Sequence, residues 1–134
     1  HCRYLERGLR MSAPNLTFSH DKQRLSAVGG FDCIVVTFTS DIAYISFECR
    51  ATKVGEDWGV GKGSLVASFS STPANTSRTF EVYDDYLLNG DGEYRISLFA
   101  QGADGSWNDN HGFIPSGETE TMLTADGEEF LCMR

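Results

Sequence analysis

Apolar and polar residues alternate along most of the chain, and apolar residues at helical spacing are nearly absent. The clearest alternation covers residues 43–54, where Ile45, Phe47, Cys49 and Ala51 point to one face and mostly polar side chains to the other. This pattern is typical of an antiparallel strand with one buried face. We therefore predict a long, half-buried strand here.

Residues 31–40 read FDCIVVTFTS and give the strongest strand signal, because β-branched and aromatic residues occur at both parities. We expect both faces of this strand to be partly covered. Shorter apolar segments between turn residues are the candidates for the remaining strands: 16–18, 24–28, 64–71, 79–83, 93–101, 113–114, 119–124 and 128–133. The last two flank Asp126-Gly127, a tight-turn signal that predicts a C-terminal hairpin.

The fold class predicted from these segments is all-β: an antiparallel β-sandwich of about seven to nine strands. A closed barrel is the main alternative. Six apolar side chains, spread over five of the strands, are expected to fill the space between the sheets: Val36, Phe47, Phe69, Val82, Ile96 and Leu98.

A chain of 134 residues is long enough for one domain with its own core. Residues 1–10 contain three arginines and are expected to form an N-terminal extension, so that residues 11–134 make up the single domain. No apolar run approaches the roughly 20 residues of a membrane span, and we expect no membrane insertion. The net charge of −8 repels phosphate backbones, so we expect no nucleic-acid partner.

No motif in the chain predicts catalytic residues, a metal site or a cofactor. Residues 59–64 resemble a phosphate-binding loop only superficially, because Gly63 stands where the hydroxyl residue after Lys62 is needed. The acidic and amide residues of 104–110 lack the ligand spacing of a calcium loop and suit turns equally well. His111 and the cysteines have no partners at catalytic spacing. We therefore expect a protein that is not an enzyme.

Two tryptophans in glycine-rich loops are the best candidates for ligand binding. Trp58 lies in the segment 55–63, which we expect to be a mobile loop, and Trp107 is followed by Asn108 and Asp109. Aromatic faces pack against sugar rings while neighbouring amides and acids bind the hydroxyls. Alternatively, each tryptophan folds back and covers an edge of the sandwich.

The residues LNGDGEYRI, 88–96, resemble the turn and strand that open strand F of immunoglobulin-like and fibronectin III-like domains. In these families a tyrosine hydroxyl at this place binds upstream backbone, and Tyr94 takes that position, with Ile96 at the buried one. The resemblance implies an immunoglobulin-like sandwich with Tyr94 buried and hydrogen-bonded near residues 86–89. Ile96 replaces the second cysteine of antibody domains, so their inter-sheet disulfide is not expected.

The stretch YRISLFAQGADGSW is similar to strand F and the following loop of bacterial immunoglobulin-like domains, and residues 12–133 as a whole resemble small immunoglobulin-like proteins of phage and prophage tail gene clusters. The resemblance implies a structural or adhesion module, in a virion or at a bacterial surface, that contacts other virion or surface proteins or a host glycan. A free-standing carbohydrate-binding domain of a bacterial surface system is the alternative. Oligomerisation is compatible with both.

Overall fold

The computed structural model describes residues 13–25 and 32–108, together with the backbone of 129–133. These residues form an all-β structure of seven strands and one 3₁₀ turn. The elements in chain order are β1 (Leu16–His20), β2 (Cys33–Ser40), β3 (Tyr44–Lys53), β4 (Ser64–Thr72), β5 (Arg78–Tyr83), the 3₁₀ turn Asp84–Tyr86, β6 (Glu93–Gln101) and β7 (Glu129–Met133).

Several predicted segments lie outside the described residues: the N-terminal extension 1–10, the strands at 113–114 and 119–124, and the turn that would complete the C-terminal hairpin. Only the second strand of that hairpin is described, as β7. Of the strand predicted at 24–28, only Arg24 and Leu25 are described.

The strands form two antiparallel sheets rather than one closed sheet. The three-stranded sheet has the order β1-β2-β5, and the four-stranded sheet has the order β4-β3-β6-β7. Within the second sheet, β3 pairs with β4 on one side and with β6 on the other. The sandwich-like, all-β architecture predicted from the alternation is confirmed.

One core lies between the two sheets. The ring of Phe38 from β2 stacks on that of Phe47 from β3, with ring centres 4.2 Å apart. Five of the six predicted core residues are buried: Val36, Phe47, Val82, Ile96 and Leu98. Phe69 is only partly buried at the margin of the core, with the Arg78 guanidinium carbon 4.9 Å from its ring centre.

Tyr94 has the predicted buried and hydrogen-bonded position, at the corner that precedes β6. Tyr94 is buried at the start of β6. Its hydroxyl accepts a hydrogen bond from the backbone N–H of Asn89 at 2.8 Å and donates one to the carbonyl of Gly90 at 2.6 Å. This pair of bonds ties the strand to the turn that precedes it.

Two apolar residues that the alternation assigns to the core face, one in β3 and one in β4, are exposed instead. Ile45 is 44% exposed, whereas its neighbour Tyr44 is buried and its ring packs 6.1 Å from that of Phe47. The large aromatic ring thus fills the end of the core in place of Ile45. In β4 the alternation through Leu65, Ala67 and Phe69 likewise predicts that Leu65 faces the core, but Leu65 is exposed and Val66 is buried.

A β-bulge explains the exchange in β4. Cys49 of β3 pairs with Ala67, but the next residue, Arg50, pairs with Leu65. Val66 is therefore an extra residue in the β4 ladder, and an extra residue shifts the parity of the side chains beyond it. Alternation alone does not reveal such a shift.

Candidate functional site

Trp58 folds over the outer face of the four-stranded sheet. The indole ring lies nearly parallel to that of Phe99, at 13° with ring centres 6.3 Å apart. The guanidinium carbon of Arg95 lies 4.8 Å from the centre of the indole ring. Both contacts come from β6, on the face opposite to the core. Trp58 is half-buried as a result and covers part of the outer face, and its role in ligand binding stays a prediction.

The loop that contains Trp58 is also held by a carboxylate. Glu48 Oε2 accepts hydrogen bonds from the backbone N–H of Gly61 at 2.8 Å and from Arg50 Nε at 2.9 Å. Burial raises the pKa of Glu48, but the hydrogen bonds from Arg50 and Gly61 and the charge of Arg50 together outweigh burial, so the pKa lies below its usual value. The predicted mobile loop is therefore attached to the sheet through Trp58 and Gly61.

Trp107 lies at the edge of β6. It forms an isolated antiparallel bridge with Gln101, and its side chain is half-buried. Directly opposite residues in an antiparallel pair share a face of the sheet, and Gln101 belongs to the outer face. Trp107 is thus placed on the outer face as well.

Asn108 has a structural position. It is 3% exposed. Its Oδ1 accepts a hydrogen bond from the backbone N–H of Ala100 at 2.8 Å, and its Nδ2 donates one to the carbonyl of Leu98 at 3.1 Å. Both polar groups of the amide bind the β6 backbone, so the structure does not support the prediction that Asn108 binds a ligand. Asp109 lies outside the described residues.

The two tryptophan-bearing loops start at opposite ends of the sheet. The Trp58 loop follows Lys53, which pairs with Tyr94 at the start of β6. Trp107 lies beside Gln101, which pairs with Ser46 at the other end of β3. We call the first end the corner end, after Tyr94, and the second the loop end.

An apolar recess opens at the loop end, beside the segment that leads to Trp107. Its volume is about 360 Å³, within the usual range of ligand pockets. The lining consists of short apolar side chains, two hydroxyl residues and one tyrosine: Ala43, Tyr44, Ile45, Ser71, Thr72, Pro73 and Ala103. The hydroxyl of Tyr44 is buried and has no hydrogen-bond partner among the described residues. We call this cavity the loop-end recess.

None of the residues that line the loop-end recess was a candidate in the sequence. The alternation in β3 predicts that Ile45 faces the core, so the sequence did not identify Ile45 as an exposed apolar residue. The sequence carries one relevant signal. The apolar residue Ile45 lies close to one end of its strand, and the segment Ser71-Thr72-Pro73 ends another strand.

A second cavity, of about 250 Å³, lies at the corner end, and hydrogen bonds cross its lining. Lys53 Nζ donates to the carbonyl of Asn89 at 2.9 Å, and Asn89 Nδ2 donates to Glu56 Oε2 at 2.7 Å. Its polar groups therefore satisfy one another. The cavity is part of the support around Tyr94.

Within residues 13–25 and 32–108, no group of three or more His, Cys, Asp or Glu side chains is arranged to hold a metal ion. Cys33 and Cys49 are free thiols. Burial raises the pKa of Cys49 well above its ordinary value, so this thiol stays protonated at neutral pH. The described part of the chain has no helix long and apolar enough to span a membrane.

Comparison of this chain with protein-family models, with curated proteins and with solved structures finds no match. Its function is therefore inferred from the geometry of the two ends of the sandwich and from the chain's own motifs.

Proposed function

We propose that the protein is a non-enzymatic adhesion or structural module with an immunoglobulin-like sandwich. The strand order supports this: the first, second and fifth strands share one sheet, and the third, sixth and seventh share the other. The hydroxyl of Tyr94, bound to the backbone just upstream of β6, supports it as well. The fourth strand lies beside the third rather than beside the fifth, which differs from the constant-type order of antibody domains.

The loop-end recess is the surface through which we propose that the module contacts its partner. It lies where the β2–β3 and β4–β5 connections meet the segment after β6, the end of the sandwich that immunoglobulin variable domains use for recognition. The single observation that supports this choice is the exposed Ile45 in an apolar cavity large enough for a ligand group.

The chemistry of the recess suits an apolar side chain presented by a partner protein. Ala43, Pro73 and Ala103 offer hydrocarbon surface next to Ile45. The resemblance to tail-associated proteins suggests a virion or bacterial surface protein as this partner.

A second candidate function is carbohydrate binding. Trp107 is partly exposed and follows, four residues on, the recess residue Ala103. An indole ring beside a cavity can pack against the apolar face of a sugar. Trp58, whose ring already contacts Arg95 and Phe99, is the weaker candidate for such stacking.

The proposal is tested by measuring binding of the labelled protein to tailed phage particles and to intact bacteria. Ile45→Asp places a charge in the recess, and we expect it to weaken binding at least about tenfold. Leu88→Asp is the matched control, because Leu88 is 70% exposed at the corner end and should leave binding unchanged. Equal binding by both variants would contradict the assignment of the recess.

A glycan array distinguishes the second candidate. If sugars are the ligands, the wild-type protein binds defined glycans and Trp107→Ala abolishes that signal, while its melting temperature stays within a few degrees of wild type. Absence of glycan binding together with recess-dependent binding to particles or cells would support a protein partner.

A further inference from the structure

The free edge of β4 differs from the other described edges in its charge. Among the described strands β4 pairs only with β3, so its other side has no described strand as a hydrogen-bonding neighbour. The fifteen residues between Lys62 and Arg78 carry no charge, in a chain whose net charge is −8. Exposed edges are usually protected by charged residues, prolines or shortness. β4 spans nine residues without a charge or a proline.

The other edge strands have such protection. β1 has five residues and is followed directly by Asp21 and Lys22. β5 contains Arg78 and Glu81 within its six residues, and β7 begins with Glu129. The bulge at Val66 protects only the first part of β4, because pairing with β3 is regular from Ala67 to Thr72.

We propose that β4 pairs antiparallel with β4 of a second copy of this chain, about a two-fold axis through Ser68. Such an interface uses the same patch on both copies and closes as a dimer. The two four-stranded sheets then form one continuous sheet. Main-chain hydrogen bonds supply the contact, as in other cases of strand addition.

The side chains of β4 select this register. Pairing about Ser68 matches Ser64 with Thr72 of the second copy. The regularly paired residues Ala67–Phe69 of the two copies then lie opposite each other at the axis, and the bulge residue Val66 of each copy lies opposite Ser70 of the other. Lys62 and Pro73 both remain outside the ladder; within it, an edge lysine would oppose strand pairing and a proline would lack the N–H that the ladder needs. A shift of the two-fold axis by one residue in either direction brings Lys62 or Pro73 into the ladder.

The same register places compatible side chains opposite each other. Ser68 lies on the outer face, opposite Glu48 of β3, and is exposed. Two such small hydroxyl side chains meet at the two-fold axis without a clash. On the inner face Phe69, whose ring centre lies 4.9 Å from the guanidinium carbon of Arg78, lies opposite the small side chain of Ala67 of the second copy.

Analytical ultracentrifugation over a concentration series tests the proposal. The wild-type chain should show a monomer–dimer equilibrium. Ser68→Lys and Ser68→Glu each place like charges directly opposite each other, and each should weaken the dimer at least about tenfold. An equimolar mixture of the two variants should form a heterodimer again, since the charges are then complementary. Ser19→Lys, on the exposed face of β1, is the matched control and should dimerise like wild type.

Restored association in the mixture also shows that both variants are folded. Three results would overturn the proposal: a wild-type chain that stays monomeric up to about 1 mM, a Ser68→Lys variant that dimerises like wild type, or a mixture that fails to associate. A dimer that is lost in Ser19→Lys would instead place the interface on the three-stranded sheet.

Discussion

The two ends of the sandwich are built from different chemistry. At the corner end, Tyr94, Asn89, Lys53 and Glu56 form a connected set of hydrogen bonds between side chains and turn backbone. At the loop end the cavity is lined mainly by hydrocarbon, and Ile45 remains exposed within it.

This difference separates stability from recognition. A polar network whose members satisfy one another fixes the backbone and leaves few groups for a ligand. An open apolar surface contributes little to folding and gains from being covered by a partner. The corner end is therefore expected to respond to mutation in stability, and the loop end in binding.

The largest change in the free energy of unfolding is expected in the core that lies between the two ends. Phe47→Ala should lower the free energy of unfolding by about 3–5 kcal/mol, because it removes a buried ring in contact with Phe38 and leaves a cavity. Urea denaturation measures this change. Ile45→Ala, two residues away and exposed, is the control and should cost less than about 1 kcal/mol. A similar loss for both would mean that the faces of β3 are assigned incorrectly.

The next largest effect is expected at Gly63 of the corner end. A Cβ atom there would lie 2.3 Å from the carbonyl oxygen of Ala51, and φ is +66°. Gly63→Ala should therefore cost about 2–4 kcal/mol, from steric displacement and backbone strain together. Gly61→Ala has a similar φ of +80° but open space around the added atom, and should cost only about 1 kcal/mol. Equal melting temperatures for the two variants would refute the close approach at Gly63.

Removal of the Tyr94 hydroxyl tests the corner itself. Tyr94→Phe leaves the N–H of Asn89 and the carbonyl of Gly90 without this partner, and should lower the free energy of unfolding by about 1–2 kcal/mol. Tyr83→Phe is the control, because Tyr83 is exposed and should tolerate the change. If Tyr94→Phe proves neutral in chemical denaturation, the hydroxyl does not anchor the turn.

The Trp58 loop should show the smallest effect, one that depends on pH. Because the pKa of Glu48 is lowered by folding, its ionised carboxylate stabilises the native state above its unfolded pKa of about 4.5. That contribution is lost as the pH falls through the lower, folded pKa. Glu48→Gln should therefore cost about 1 kcal/mol at pH 7, and the difference from wild type should decrease as the pH falls below about 4.5. A difference that is independent of pH would contradict the role of the carboxylate charge.

Much of the fold could be predicted from the sequence, because alternation and strand propensity act locally. The strand around Phe47 and the burial of Ile96 follow from such signals, whereas the hydrogen-bonded position of Tyr94 follows from the resemblance of residues 88–96 to immunoglobulin-like domains. The faces of Ile45 and Leu65 could not be predicted in the same way. They depend on a bulge and on which aromatic ring fills the end of the core, and both are decided by packing against other strands.

The candidate site was harder to predict for the same reason. The tryptophans were identifiable as large side chains in glycine-rich loops, but their contacts depend on tertiary packing. The contact between Trp58 and Phe99 joins residues far apart in the chain. The amide of Asn108 binds the β6 backbone, whereas composition alone suggests a ligand-binding loop. The loop-end recess forms only where three connections meet.

A paired measurement of stability and binding on Tyr94→Phe and Ile45→Asp tests the separation of the two ends most directly. Each variant is unfolded in urea and is also titrated against phage particles or bacterial cells that bind the wild-type chain. Tyr94→Phe should lose about 1–2 kcal/mol of stability and keep its affinity under native conditions. Ile45→Asp should keep its stability within about 0.5 kcal/mol and lose at least about tenfold in affinity. The opposite pattern, or a loss of both properties in both variants, would contradict the assignment of recognition to the loop end.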